Sequence, residues 1–89
     1  MKVRIIKCPS CKQEIYSRAQ HDYRTCKCKN IMVDGGKYSY IDEDIWSYER
    51  YGGADISLLK SRIVEIEVTE KEMYDDWNES IDKLGVYEE

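Results

Sequence analysis

The chain has no phenylalanine, a single proline and a single histidine among its 89 residues. Leucine, isoleucine and valine together supply only 18 positions, while charged residues make up 36%. A composition this poor in aliphatics borders on that of disordered chains. A chain this short also buries only a modest share of its surface, so its fold needs support beyond a hydrophobic core. No stretch approaches the 18 apolar residues of a transmembrane helix. Residues 1–7 lack the apolar region and small-residue cleavage site of a secretory signal, which makes a reducing cytoplasm the expected compartment. No serine or cysteine sits in a recognisable nucleophile motif and no paired catalytic constellation occurs, so the chain is read as non-enzymatic. Internal repeats, Pro/Ser-rich linkers and low-complexity segments are also missing.

What is present is four cysteines, Cys8, Cys11, Cys26 and Cys28, all in the first third. Their pattern is C-x2-C-x14-C-x-C. Two thiolates separated by two residues suit a tight turn that offers both sulfurs to one ion, and Pro9 fixes φ within it. The 14-residue connector matches a hairpin that returns the second pair. Four sulfur ligands describe a closed tetrahedral Zn²⁺ site with no open position for water, hence a structural rather than catalytic metal. In a reducing compartment this outranks two disulfides, a redox dithiol or an iron–sulfur cluster. His21 lies between the pairs and is expected to hydrogen-bond across a turn. The His21-Asp22 neighbours resemble an acid–base dyad only in sequence.

The hydropathy pattern predicts an α+β fold. A small zinc-ribbon-like antiparallel β unit over 1–41 precedes an acidic helix–strand–helix extension over 42–89, and the two together form one compact domain. Short strands are expected over 3–7 and 13–17. Ile31-Met32-Val33, then Asp34-Gly35-Gly36, then an aromatic run give a hairpin signal. Asp42-Glu43-Asp44 and the Ile41/Ile45/Tyr48 spacing predict a short helix to about residue 50. Alternation at Val64, Ile66 and Val68 predicts a strand over 62–68, whose free edge could pair with a second copy to make a homodimer. Thr69-Glu70-Lys71-Glu72 is a capping box. The helix it opens is expected to reach Leu84, with a Met73/Trp77/Ile81/Leu84 stripe.

Net charge is −4, unevenly placed. Residues 1–40 hold nine Lys/Arg against three Asp/Glu, and residues 41–89 hold five against fifteen. Acidic side chains interleaved with aromatics point to a protein partner, with Trp46, Tyr48, Glu49 and Tyr51 as contact residues. The alternative is nucleic-acid binding through the basic part, by Lys12, Arg18, Arg24, Lys27 and Lys29 with Tyr23 for stacking. Lys7 and Tyr16 belong to the same basic cluster.

Five motifs occur together: Lys7-Cys8-Pro9-Ser10-Cys11, His21-Asp22-Tyr23, Cys26-Lys27-Cys28, Val33-Asp34-Gly35-Gly36 and Arg50-Tyr51-Gly52-Gly53. Together they resemble a small zinc-ribbon-like protein family of phages and prophages of Gram-positive bacteria, whose function is not established. The resemblance covers about residues 4–55. It departs at Lys29-Asn30, where the family usually has Gly-Asn, and in a longer stretch over 37–49. It implies a phage-type origin, a host-cytoplasmic location and a bound metal, and no activity; the protein partner expected from the acidic part would be a host or phage protein.

Overall fold

The computed structural model describes residues 1–38, 45–53 and 59–87. At its centre lies β1 (Lys2–Lys7), whose residues Val3, Ile5 and Ile6 are almost wholly buried. Alternation sends Val3 and Ile5 to one face and Ile6 to the other, and each face carries its own apolar cluster. Antiparallel β6 (Lys60–Glu65) pairs with β1 over its full length. The other edge of β1 is shared. Its start runs parallel to β5 (Ile45–Gly53), through Lys2↔Ile45 and Val3↔Trp46. Its end pairs with β2 (Glu14–Ile15) through Ile6↔Ile15 and Lys7↔Glu14. The sheet extends outward as β3 (Tyr23–Thr25), β4 (Ile31–Tyr38) and β5 on one side and β2 and β7 (Val86–Tyr87) on the other. The result is a mostly-strand α+β architecture with, among the described residues, one short helix, α1 (Glu70–Asn78).

Three expectations are corrected. Residues 45–51 were expected as helix and form part of β5. Ile45, Trp46, Tyr48 and Tyr51 are β-branched or aromatic, which favours a half-buried pleated surface, and the pairing with β4 decides between the two periods. The expected start of that helix, residues 42–44, lies outside the described residues. Asp34-Gly35-Gly36 is not a hairpin turn but the middle of β4: the register with β5 is the same at Asp34↔Arg50 and at Gly36↔Tyr48. Gly35 adopts φ 73 within the strand, and its N–H reaches the Asp22 carbonyl at 3.4 Å. The strands that pair antiparallel here are β4 and β5, not two halves of β4 folded about its glycines.

The third correction concerns the last helix. Its capping box forms as expected: the Glu72 N–H donates to Thr69 Oγ1 at 3.1 Å, and the Thr69 N–H donates to the Glu72 carboxylate. The helix ends at Asn78 rather than Leu84, because Ser80 and Asp82 take left-handed φ values of 55° and 58°. Met73 is fully buried and Leu84 packs on the same cluster, whereas Ile81 is exposed and Trp77 stacks edge-on with Tyr74. The expected strand over 62–68 is present as Lys60–Glu65, with Val64 buried and Ile66 and Val68 packed on the same cluster.

Gly85, just past the end at Leu84 expected for that helix, leads into β7. Its φ is 101°, and its carbonyl accepts the Tyr16 N–H at 2.9 Å. A Cβ there would stand 2.4 Å from Arg24 Nε. Gly85→Ala is expected to cost roughly 1–3 kcal/mol, as a strained left-handed residue does, read as a lower urea midpoint. An unchanged midpoint would contradict this packing.

Candidate metal centre

The four cysteines lie on two turns, one between β1 and β2 and one between β3 and β4. In each turn the N–H of the first cysteine is tied to the chain five residues on, Cys8 to the Gln13 carbonyl at 2.9 Å and Cys26 to the Ile31 carbonyl at 3.2 Å. In each, the residue just after the second cysteine is left-handed, Lys12 and Lys29 both at φ 65. Its N–H returns to the first cysteine's carbonyl, at 3.1 Å from Lys12 to Cys8 and 2.9 Å from Lys29 to Cys26. The C-x-C turn is therefore a one-residue-shorter version of the C-x2-C turn with the same closure. Two side chains clasp the turns together: the Lys27 N–H donates to Gln13 Oε1 at 2.7 Å, and Asn30 Nδ2 donates to Ser10 Oγ at 2.8 Å.

This arrangement brings all four Sγ atoms within 4.8 Å of one another. Cys28 Sγ lies 3.5 Å from Cys8 Sγ and 3.4 Å from Cys26 Sγ. All four cysteines are free, not disulfide-bonded. A tetrahedral ion with Zn–S bonds near 2.3 Å sets its sulfurs about 3.8 Å apart, so the donor set fits a metal of that kind. The N–H groups of Ser10 and Cys11 both point at Cys8 Sγ at 3.4 Å, as donors to a thiolate would. Cys8 and Cys26 are buried in the cluster formed by Ile6, Ile15, Ile31 and Val33, so the cysteine cluster is continuous with one half of the core.

Crowding separates the thiols' ionisation. At Cys11 desolvation favours the thiol, but the Gln13 and Cys28 N–H groups and the Cys28 and Cys8 sulfurs outweigh it and lower its pKa to about 6. At Cys28 the Asn30 N–H favours the thiolate, yet desolvation and the three surrounding sulfurs prevail and raise it to about 12. Without a cation the cluster sheds its first protons readily and resists losing its last.

Lys29 holds a conformation that a side chain makes costly. Lys29→Gly is expected to raise stability by up to about 1 kcal/mol, the left-handed penalty less the extra entropy of glycine. Thermal melts of the metal-loaded protein check this, and a lower Tm would contradict it.

The other expected site residues divide. Lys12, Lys27, Lys29 and Tyr23 reach the surface. Arg18, expected on the basic face, is buried. Its Nε and Nη2 grip the Asp22 carboxylate at 2.9 and 3.2 Å, and its Nη1 meets Asp76 at 2.8 Å and Asp82 at 2.9 Å. Arg24 is largely covered, with Nε buried and unbonded beside Gly85. Asp22 serves Arg18 while His21 is exposed, so the two form no dyad. Trp46 packs on the second apolar cluster and donates its indole N–H to the Ser17 carbonyl at 3.0 Å, and Tyr48 packs on the first cluster. Glu49 and Tyr51 are exposed.

Sequence reasoning missed the Arg18 network, because Asp22 alone does not mark an arginine as buried and the other two carboxylates lie 58 and 64 residues away. It also missed Gln13 and Asn30 as clasps, although each stands within two residues of a cysteine.

Residues 1–42 match a family described as a domain of unknown function (DUF7695). No curated protein and no solved structure matches the chain. Among the described residues no helix is long and apolar enough to cross a membrane.

Proposed function

We propose that the chain is a non-enzymatic binding module folded around one structural Zn²⁺ held by Cys8, Cys11, Cys26 and Cys28. The observation that carries this is the convergence of four thiols from two similarly closed turns. Four sulfur ligands saturate a tetrahedral ion, leaving no position for substrate or activated water. The metal's task is then to join β1–β2 to β3–β4. The phage-type origin and cytoplasmic location implied by the resemblance agree with this reading, since a reducing compartment keeps thiols available to a metal.

For a protein partner the expected surface contracts to Glu49 and Tyr51, because Trp46 and Tyr48 pack inward. For a nucleic-acid partner it contracts to Lys12, Lys27, Lys29 and Tyr23, because Arg18 is sequestered and Arg24 largely covered. Elemental analysis of protein purified without added metal tests the core of the proposal. One zinc per chain is expected, and a metal-free chain that retains its fold would refute it.

A further inference from the structure

Antiparallel pairing of β1 with β6 sets Lys7 directly opposite Lys60. Like charges facing each other across a sheet are destabilising, and neither lysine forms an ion pair among the described residues, in a chain with eighteen Asp and Glu. Two adjoining hollows meet at this pair. One, of about 480 Å³, is lined by Lys7, Glu14, Lys60, Ser61 and Arg62. The other, of about 300 Å³, continues past Pro9 to Lys12. Among the described residues, four cations and one carboxylate, Glu14, line these two adjoining hollows. That carboxylate is already taken bidentately by Arg62, at 2.8 and 2.9 Å. Arg62 also lies over the Tyr87 ring, 5.2 Å from its centroid. Lys60 and Arg62 come from the acidic half of the sequence, and only the β1–β6 register brings them beside the basic half.

We propose that this groove binds the phosphodiester backbone of a nucleic-acid strand, with Lys7, Lys12 and Lys60 as phosphate contacts. A row of lysines without ion pairs along a concave strip is the electrostatic footprint of a polyanion with evenly spaced charges. A competing explanation is that Lys7 and Lys12 only balance the −2 charge of a zinc–tetrathiolate centre behind Cys8. Lys60, contributed by a different strand, adds a cation beyond that need.

The proposal rests on the zinc-bearing fold, so zinc content and Tm are measured on every sample, which separates its failure from failure of the fold. Zinc-loaded full-length protein is titrated into a labelled 12-nucleotide oligothymidylate at 50 mM and 200 mM salt, followed by anisotropy. Binding at 50 mM that falls steeply with salt is expected. The double variant Lys7→Gln/Lys60→Gln is expected to weaken it at least tenfold. Its log–log salt slope should be smaller by about 1.4, the share of two single-strand phosphates. Zinc should stay bound and Tm should be unchanged or higher, because a repulsion has been removed. Lys12→Gln provides a second variant if the double one does not fold. Absence of binding at 50 mM, equal binding by the folded variants, or displacement by polyglutamate as effective as by unlabelled oligonucleotide would each overturn the proposal. Zinc loss from the lysine variants without any oligonucleotide binding by the parent would identify the lysines as counter-charges only.

Discussion

Cys8→Ser should abolish metal binding and unfold the protein. Structural Zn²⁺ in small thiolate sites supplies an apparent binding free energy of roughly 10–16 kcal/mol at neutral pH, which matches or exceeds the ~5–15 kcal/mol stability of a typical domain. The loss should not stay local. Cys8 and Cys26 are packed with Ile6, Ile15, Ile31 and Val33 from β1, β2 and β4. Strand β1 in turn carries β5 and β6. Far-UV circular dichroism of the variant should therefore lose the sheet signal of the whole chain, beyond residues 1–40. A variant that keeps both its zinc and its spectrum would show that Cys8 is not a ligand.

Replacement of Arg18 by methionine should cost about 3–5 kcal/mol, the usual penalty for removing one partner of a buried ion pair. The guanidinium is 6% exposed and is shared by Asp22, Asp76 and Asp82. Its removal leaves Asp22 and Asp76 buried without a cation. Asp76 is also the pivot of the turn after α1, accepting the Lys83 and Leu84 N–H groups at 2.9 and 3.0 Å. Arg18→Lys should recover only part of the loss, because an ammonium cannot serve two carboxylates in a planar fork. Chemical denaturation of the zinc-loaded protein measures both. A cost below about 1 kcal/mol for Arg18→Met would contradict the role given to this network.

The same network fixes a pH dependence. Burial works against the Asp76 carboxylate, but Arg18 and the Leu84 and Lys83 N–H groups outweigh it and lower its pKa below the usual 3.8. A lowered folded pKa gives stability that is complete above the unfolded value and is lost only as pH falls through the folded one. Asp76 therefore contributes fully from neutrality down to the ordinary carboxylate range. Thiolate protonation, which releases a bound metal, comes first on acidification. Acid unfolding should coincide with zinc release and precede Asp76 titration. Full release of zinc with the fold still intact at that pH would contradict this order.

The parts of the fold readable in the sequence are those with a strong local cause. The cysteine spacing announced a four-sulfur site because two short chelating turns leave few other uses for such residues. Thr69 and Glu72 announced the start of α1 because a capping box is local chemistry. Elsewhere pairing partners decide. Ile41, Ile45 and Tyr48 suit a helical face, yet β4 recruits residues 45–53 into a ladder that no local window contains. Asp34-Gly35-Gly36 carries turn residues, yet Gly35 uses its left-handed freedom inside a strand. Residues 79–84 continue a helical pattern until Asp76, held by an arginine 58 residues earlier, draws the following backbone around itself. The candidate groove was half visible: Lys7 and Lys12 stood out as basic, while Lys60 and Arg62 were hidden in an acidic stretch until the β1–β6 register placed them alongside.

The most direct test of a closed four-cysteine centre is to load the protein with Co²⁺ and record the absorption spectrum together with metal stoichiometry. One ion per chain, with intense thiolate-to-metal charge transfer and the visible bands of a tetrahedral tetrathiolate, is the predicted result. A chain that binds no stoichiometric Co²⁺, or a spectrum of an octahedral ion with oxygen ligands, would contradict such a centre.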